Sequence, residues 1–197
     1  MLISMLPPEV VAAAADGDHE ERLRSCGKAT STTQIAILDE DGNLLPSGER
    51  GEICCRGPLV TPGYFERPEA TEEARKFGWH HTGDVGFLDD DGYLYIVDRK
   101  KDMIITGGEN VYSAEVEAVL RQHPEVSEVA VIGIPDDTYG EAVFAVLVAT
   151  GQATPDIQSI IDFARQRIGG YKIPRRLEFV DELPKSALGK VLKAELR

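Results

Sequence analysis

The chain has 197 residues, 42% of them hydrophobic, enough apolar material for one large folded domain or two small ones and too much for a disordered chain. Its 21 basic residues against 34 acidic ones leave a net charge of −13, which argues against a dedicated surface for nucleic acid or an anionic membrane. No apolar run approaches the ~20 residues of a membrane span.

The opening MLISMLPPEVVAAAADGD lacks a basic leader region, and Pro7 and Pro8 interrupt its apolar stretch, so it reads as a surface segment and not as a signal peptide. From residue 33 the pattern is that of sheet. TQIAILDEDGNLLPSGERGEICCRG contains an apolar strand, a turn at Asp41-Gly42, a Pro/Gly-rich loop and a second strand, and VGFLDDDGYLYIVD repeats the arrangement around Asp91-Gly92. Neither acidic turn has full calcium-loop spacing. Between the two hairpins, RPEATEEARKFG predicts a short helix ended by Gly78. The cysteines Cys26, Cys54 and Cys55 have no metal-ligand spacing; adjacent Cys54 and Cys55 would point to opposite faces of a strand, and buried thiols in a reducing cytoplasm are the simplest reading.

Beyond residue 102 helices and strands alternate. Val116, Val119, Leu120 and His123 share a helical face behind Ser113 as N-cap, with Pro124 as the stop. Residues 127–134 and 142–150 are strands. A second helix opens at Thr154-Pro155, with Ile157, Ile160, Ile161, Ala164 and Ile168 on one face and Gly169-Gly170 at its end. RRLEFVDEL is a last strand, followed by a turn and a short helix or extended arm. The fold class is α+β: a β-rich part over residues 1–100 and a small α+β domain over 101–197.

Several short stretches could carry chemistry. Asp84, in what reads as a tight Thr-Gly-Asp turn, could accept two hydrogen bonds from a vicinal diol such as a ribose, although an Asx-turn is the better reading of the tripeptide alone. His80 and His81 beside it have no partner at metal spacing and read as structural or solvent-facing. Arg99 opens a charged run, DRKKD, of the kind that is usually a solvated face. Gly107-Gly108 reads as a strand-to-helix turn, yet consecutive glycines also let a ligand lie against bare backbone, with Glu109 and Asn110 beside it. Lys190 follows a glycine in LGKVLK. From Gly170 onward seven basic residues (Lys172, Arg175, Arg176, Lys185, Lys190, Lys193, Arg197) face four acids, so this tail could meet an anion.

Together GERGEICCRGPLVTPGYFERPEAT, GWHHTGDVG, YIVDRKKDMIITGGENVYSAEVE and YKIPRRLEFVDELPKSALGKVLKAELR, in this order and spacing, resemble the adenylate-forming superfamily, and specifically the C-terminal part of a fatty-acid or other acyl-CoA ligase, from about Arg22 onward. The resemblance implies a β-rich end of the large AMP-binding domain followed by a mobile lid. It implies ATP, Mg2+ and coenzyme A as reactants, a carboxylic acid as the substrate, and a cytoplasmic enzyme that makes an acyl-adenylate and then a thioester. By the same resemblance Lys190 is the catalytic lysine of adenylation, Asp84 and Arg99 hold the ATP ribose, Lys101 is the hinge, and Gly107, Gly108 and Glu109 form the loop that serves thioester formation. No metal ligand is assigned to the chain.

The phosphate loop, adenine segment and acyl pocket of the family have no counterpart here. The chain is therefore expected to be an expressed piece or a truncated product that needs the missing N-terminal domain, binds ATP poorly and turns over nothing alone. Two other readings stand beside this one: the lid of a carrier-protein-loading adenylation domain, and a non-catalytic interaction module built on the same fold.

Overall fold

The computed structural model describes residues 3–151 and 155–197. The chain divides into two compact units, Met1–Lys100 and Lys101–Arg197.

In the first unit β1 (Ser4–Met5) is followed by helix α1 (Pro8–Ala15), and β1 pairs antiparallel with β2 (Lys28–Ala29). The opening segment is thus more than a surface stretch. Pro8 sits in the first helical turn, where a missing N–H costs nothing, and Ala14 is buried. Strands β3 (Gln34–Leu38) and β4 (Gly51–Arg56) form the first hairpin, and after helix α2 (Pro68–Glu73) strands β5 (His80–Leu88) and β6 (Leu94–Arg99) form the second. The four make one antiparallel sheet in the order β3-β4-β5-β6. Both acidic turns are closed by an aspartate: Asp39 Oδ1 accepts from the backbone N–H of Asp41 and Asn43, and Asp89 Oδ1 from those of Asp91 and Tyr93. Helix α2 stops at Ala74, four residues before Gly78, which instead turns the chain into β5 at φ +78°.

Alternation along β4 divides the core of this unit. Ile53 packs with Ile37 and Leu94, whereas Cys54 packs with Ala36, Leu38 and Trp79. Cys54 and Cys55 are both fully buried free thiols.

The second unit begins with a hairpin of β7 (Ile104–Thr106) and β8 (Glu109–Val111), then helix α3 (Ser113–Leu120), strands β9 (Val126–Asp136) and β10 (Gly140–Ala149), helix α4 (Ile157–Arg165) and strand β11 (Arg176–Phe179). Strand β10 is the centre of a five-stranded sheet. It pairs antiparallel with β9 along its length, parallel with β11 over Phe144–Leu147, and meets β7 at Gly140. Ser113 is not the N-cap of α3: it is the first helical residue, Tyr112 occupies the cap, and the Ser113 hydroxyl accepts instead from Lys193 Nζ at 2.7 Å. Helix α4 is capped by Asp156, whose carboxylate accepts from the Gln158 N–H at 3.1 Å; Thr154, expected to help open this helix, lies outside the described residues. Ile160 and Ala164 are buried as the helical pattern requires, while Ile157 is left at the surface.

Side chains of β9 and β10 are apolar at both parities, and the sheet is covered on both faces. Val129, Val131, Val143, Ala145 and Leu147 pack under α3 and α4 with Val116, Leu120, Ile160 and Ala164. Ala130, Ile132, Phe144 and Val146 form a second cluster with Leu183, against which Val191 and Leu196 of the C-terminal arm pack. Leu120 is fully buried in the first cluster. Leu120→Ala should therefore destabilise the second unit by about 2–5 kcal/mol, read as a fall in the urea midpoint.

Candidate functional site

In β5 and β6 the backbone register sets Asp84 directly opposite Arg99. Arg99 Nε lies 2.7 Å from Asp84 Oδ1, and both side chains keep access to solvent. The Thr-Gly-Asp stretch is not a turn between elements but a bulge inside β5. Register slips between the pairs at Glu52 and Cys54, and Gly83 supplies the left-handed residue at φ +74°. The Asp84 carboxylate engages Arg99, not the Asx-turn that the tripeptide alone suggested.

The bulge is fastened from β4. Thr82 Oγ1 donates to the Ile53 carbonyl at 2.7 Å and accepts from the Asp84 N–H at 3.2 Å; the Gly83 N–H donates to Glu52 Oε1 at 3.2 Å. Glu52 was not apparent from the sequence as a site residue. Its side chain is 9% exposed, and its second oxygen lies 3.0 Å from His81 Nδ1 and 2.9 Å from Lys100 Nζ. Burial pushes the Glu52 carboxyl upward, but the hydrogen bonds from His81 and Lys100 and their charges outweigh it and hold the group below its ordinary value. The available signal was an acid in the otherwise apolar run EICC. His81 is thus structural; it also approaches Cys54 Sγ at 3.4 Å. The Cys54 thiol is pushed up to about 12 by burial, reinforced by the Glu52 charge, so it is an inert core group at neutral pH. His80 is held below its ordinary value by burial and by Arg75.

In the second unit Gly107 and Gly108, at φ +60° and +84°, form the two-residue turn of the β7–β8 hairpin. The turn joins strand to strand, not strand to helix, and two consecutive positive φ values are the reason it needs glycine. The Gly107 N–H donates to the Tyr139 carbonyl at 2.8 Å, the Arg175 guanidinium lies 3.9 Å from the centre of the Tyr139 ring, and Glu109 is exposed.

Lys190 occupies an exposed turn spanning residues 186–190. The turn is closed by Ser186 N–H to Lys190 C=O at 2.8 Å and by Lys190 N–H to Ser186 Oγ at 3.2 Å, with Gly189 at φ +78°. Its flanks are pinned. Lys185 pairs with Glu128 at 2.6 Å, and Lys193 with Glu117 at 2.7 Å, while Glu117 also accepts the Val131 N–H. Of the seven basic residues in this tail, Lys172, Arg176, Lys185, Lys193 and Arg197 are matched by carboxylates and Arg175 lies on Tyr139. Among the described residues the Lys190 ammonium has no ion-pair partner. Lys101 is exposed and its carbonyl accepts from Arg197 Nη2 at 3.2 Å.

The mixed strand-and-helix architecture is that of adenylate-forming enzymes. The chain belongs to the AMP-binding enzyme family: the family model described as AMP-binding enzyme matches residues 7–65, and that described as AMP-binding enzyme C-terminal domain matches residues 115–190. It is 48% identical over 176 residues to 2-succinylbenzoate–CoA ligase of Geobacillus kaustophilus, covering 89% of this chain and 36% of that protein. It is 47% identical over 173 residues to a long-chain-fatty-acid–CoA ligase of Escherichia coli, covering 88% of this chain and 31% of that protein. Among solved structures, o-succinylbenzoate CoA synthetase from Bacillus subtilis in complex with its acyl-adenylate intermediate superimposes with a TM-score of 0.85 at 39% identity, over 99% of this chain and 38% of that one. The chain thus spans about a third of the length of these relatives. Among the described residues no helix is long and apolar enough to cross a membrane.

Glu52 gives a pH test. Its folded-state pKa is depressed, so its contribution to stability is present above the unfolded value of about 4.5 and is lost as pH falls through the folded one. Glu52→Gln should be less stable than wild type at pH 7, and the gap should narrow as pH falls below about 4.5, as measured by urea titrations across pH.

Proposed function

We propose that this chain supplies the ribose-binding strand pair and the catalytic lid of an ATP-dependent acid–CoA ligase of fatty-acid type, acting in the cytoplasm. The observation that carries the reading is Lys190: an exposed ammonium without a carboxylate partner among the described residues, on a turn whose two flanks are held by ion pairs. Adenylation brings a carboxylate against the α-phosphate of ATP, and like charges ~4 Å apart repel by about 4 kcal/mol at an effective dielectric of 20. An unneutralised lysine is what such an encounter needs. A compact ammonium on a flexible stem can touch oxygens of both partners and then withdraw.

Asp84 and Arg99 act on the nucleotide in this reading. The Asp84 carboxylate, held in place by the Arg99 guanidinium, accepts hydrogen bonds from the two ribose hydroxyls. Among the described residues no group of three or more His, Cys, Asp or Glu side chains could hold a metal ion.

The second half-reaction, attack of the coenzyme A thiol on the acyl-adenylate, requires the ammonium to make way for a thiol channel. Rotation of the second unit about Lys101 would withdraw Lys190 and present the Gly107-Gly108-Glu109 turn, whose bare backbone leaves room for a slender pantetheine arm. The similarity to ligases that form CoA thioesters supports this choice of acceptor.

The test is a chimera in which this chain replaces the matching third of the Escherichia coli long-chain ligase. The chimera should form acyl-adenylate and then acyl-CoA, and absence of any acyl-adenylate would overturn the assignment. Lys190→Ala should lower acyl-adenylate formation by about 10²–10³-fold and leave thioester formation from preformed adenylate little changed. Lys101→Pro should do the opposite, with adenylation retained and thioester formation lost; both are read by single-turnover assays of each half-reaction.

A further inference from the structure

The boundary between the two units falls between Lys100 and Lys101. On each side of it a side chain from a distant part of the chain grips the adjoining residue. Glu52, on β4, holds the Lys100 ammonium at 2.9 Å and is itself secured by His81 and the Gly83 N–H. Arg197 donates to the Lys101 carbonyl at 3.2 Å and to Asp102 Oδ1 at 3.1 Å. Each grip lies wholly within its own unit.

We propose that Glu52 and Arg197 are positioning residues that confine flexion between the units to the torsions around the single Lys100–Lys101 link. The backbone has two soft torsions per residue, so an ungripped charged run such as DRKKD would offer many. Arg197, donating to both the Lys101 carbonyl and the Asp102 carboxylate, restrains the torsions that lie between them. Holding Lys100 against a buried carboxylate restrains those that precede it. What remains is ψ of Lys100 and the torsions of Lys101, a pivot one residue wide.

Arg197 also ties that pivot to the catalytic arm. The segment that ends at Arg197 carries Lys190 seven residues earlier, and between them Lys193 is pinned to Glu117 and Ser113. Rotation at Lys101 is therefore passed to Lys190 without an intervening loose element. A misplacement of ~1 Å at a reacting group can cost ~10²-fold in rate, so a narrow pivot has a functional consequence. That consequence rests on the ligase reading; the pivot itself does not.

The experiment is residue-by-residue 15N relaxation of the 197-residue chain, which reads backbone order whether or not any acyl-CoA is made. In wild type, reduced heteronuclear NOE values should be limited to the amides of Lys100 and Lys101. In Arg197→Ala and, independently, Asp102→Asn, mobility should extend into Asp102 and Met103, and Arg197→Lys should restore most of the order. In Glu52→Gln it should extend backward into Arg99. Proteolysis by a lysine-specific protease at Lys100 and Lys101 should rise severalfold in all three loosening variants. Wild-type mobility already spread over residues 98–104, or values at Asp102 and Met103 unchanged in both Arg197→Ala and Asp102→Asn, would overturn the proposal. Loss of acyl transfer with the relaxation pattern intact would count against the ligase reading alone.

Discussion

The second unit is organised by one constraint: the β9–β10 ribbon is apolar on both faces and must be covered on both. Helices α3 and α4 cover one face. The other is covered by the C-terminal arm, through Leu183, Val191 and Leu196. Burying an aliphatic side chain of this size contributes about 1.5–3 kcal/mol, so the arm is docked by the same force that builds the core. The turn bearing Lys190 therefore projects from a fixed base, while among the described residues no carboxylate pairs with the lysine itself.

Charge is distributed by the same logic. The tail looks basic in sequence, and most of that charge is consumed in local pairs with Glu115, Glu117, Glu128, Glu178 and Asp102. Pairs at exposed positions contribute little stability. Their effect is geometric, since Lys185 and Lys193 fix the two ends of one turn and Arg197 holds the Lys101 carbonyl and Asp102. Glu52 does similar work in the first unit. A carboxylate with almost no exposure is tolerated in β4 because three donors meet it, and those donors are the Thr-Gly-Asp bulge, His81 and Lys100. One buried acid thus links the strand that carries Asp84 to Lys100, the last residue of the first unit.

Much of this was legible from local pattern. The two Asp-Gly hairpins, the helix through Val116 and Leu120, and the strands around 127–134 and 142–150 follow from periodicity and turn chemistry, which act over a few residues. Where the local reading differed, a partner distant in sequence had intervened. Ser113 is the first helical residue and not the cap, and its hydroxyl accepts from Lys193, eighty residues on. The Gly107-Gly108 turn leads to a strand because residues 109–111 pair back onto β7, an exception in which the deciding partner is near in sequence. The Thr-Gly-Asp stretch is a bulge within a strand because β4 lies alongside it and Glu52 receives its N–H.

The amino-acid sequence by itself determined the α+β class, the hairpins, the position of the glycines that turns require and, through four ordered motifs, membership of the adenylate-forming enzymes. These depend on chain stereochemistry and on side-chain type at short spacing. Only the tertiary structure decided which of many charges are matched: that Asp84 faces Arg99, that Glu52 is buried among donors, and that among the described residues Lys190 has no ion-pair partner. Ion pairing is a matter of distance in space, with energy falling as separation grows, and no spacing along the chain records it.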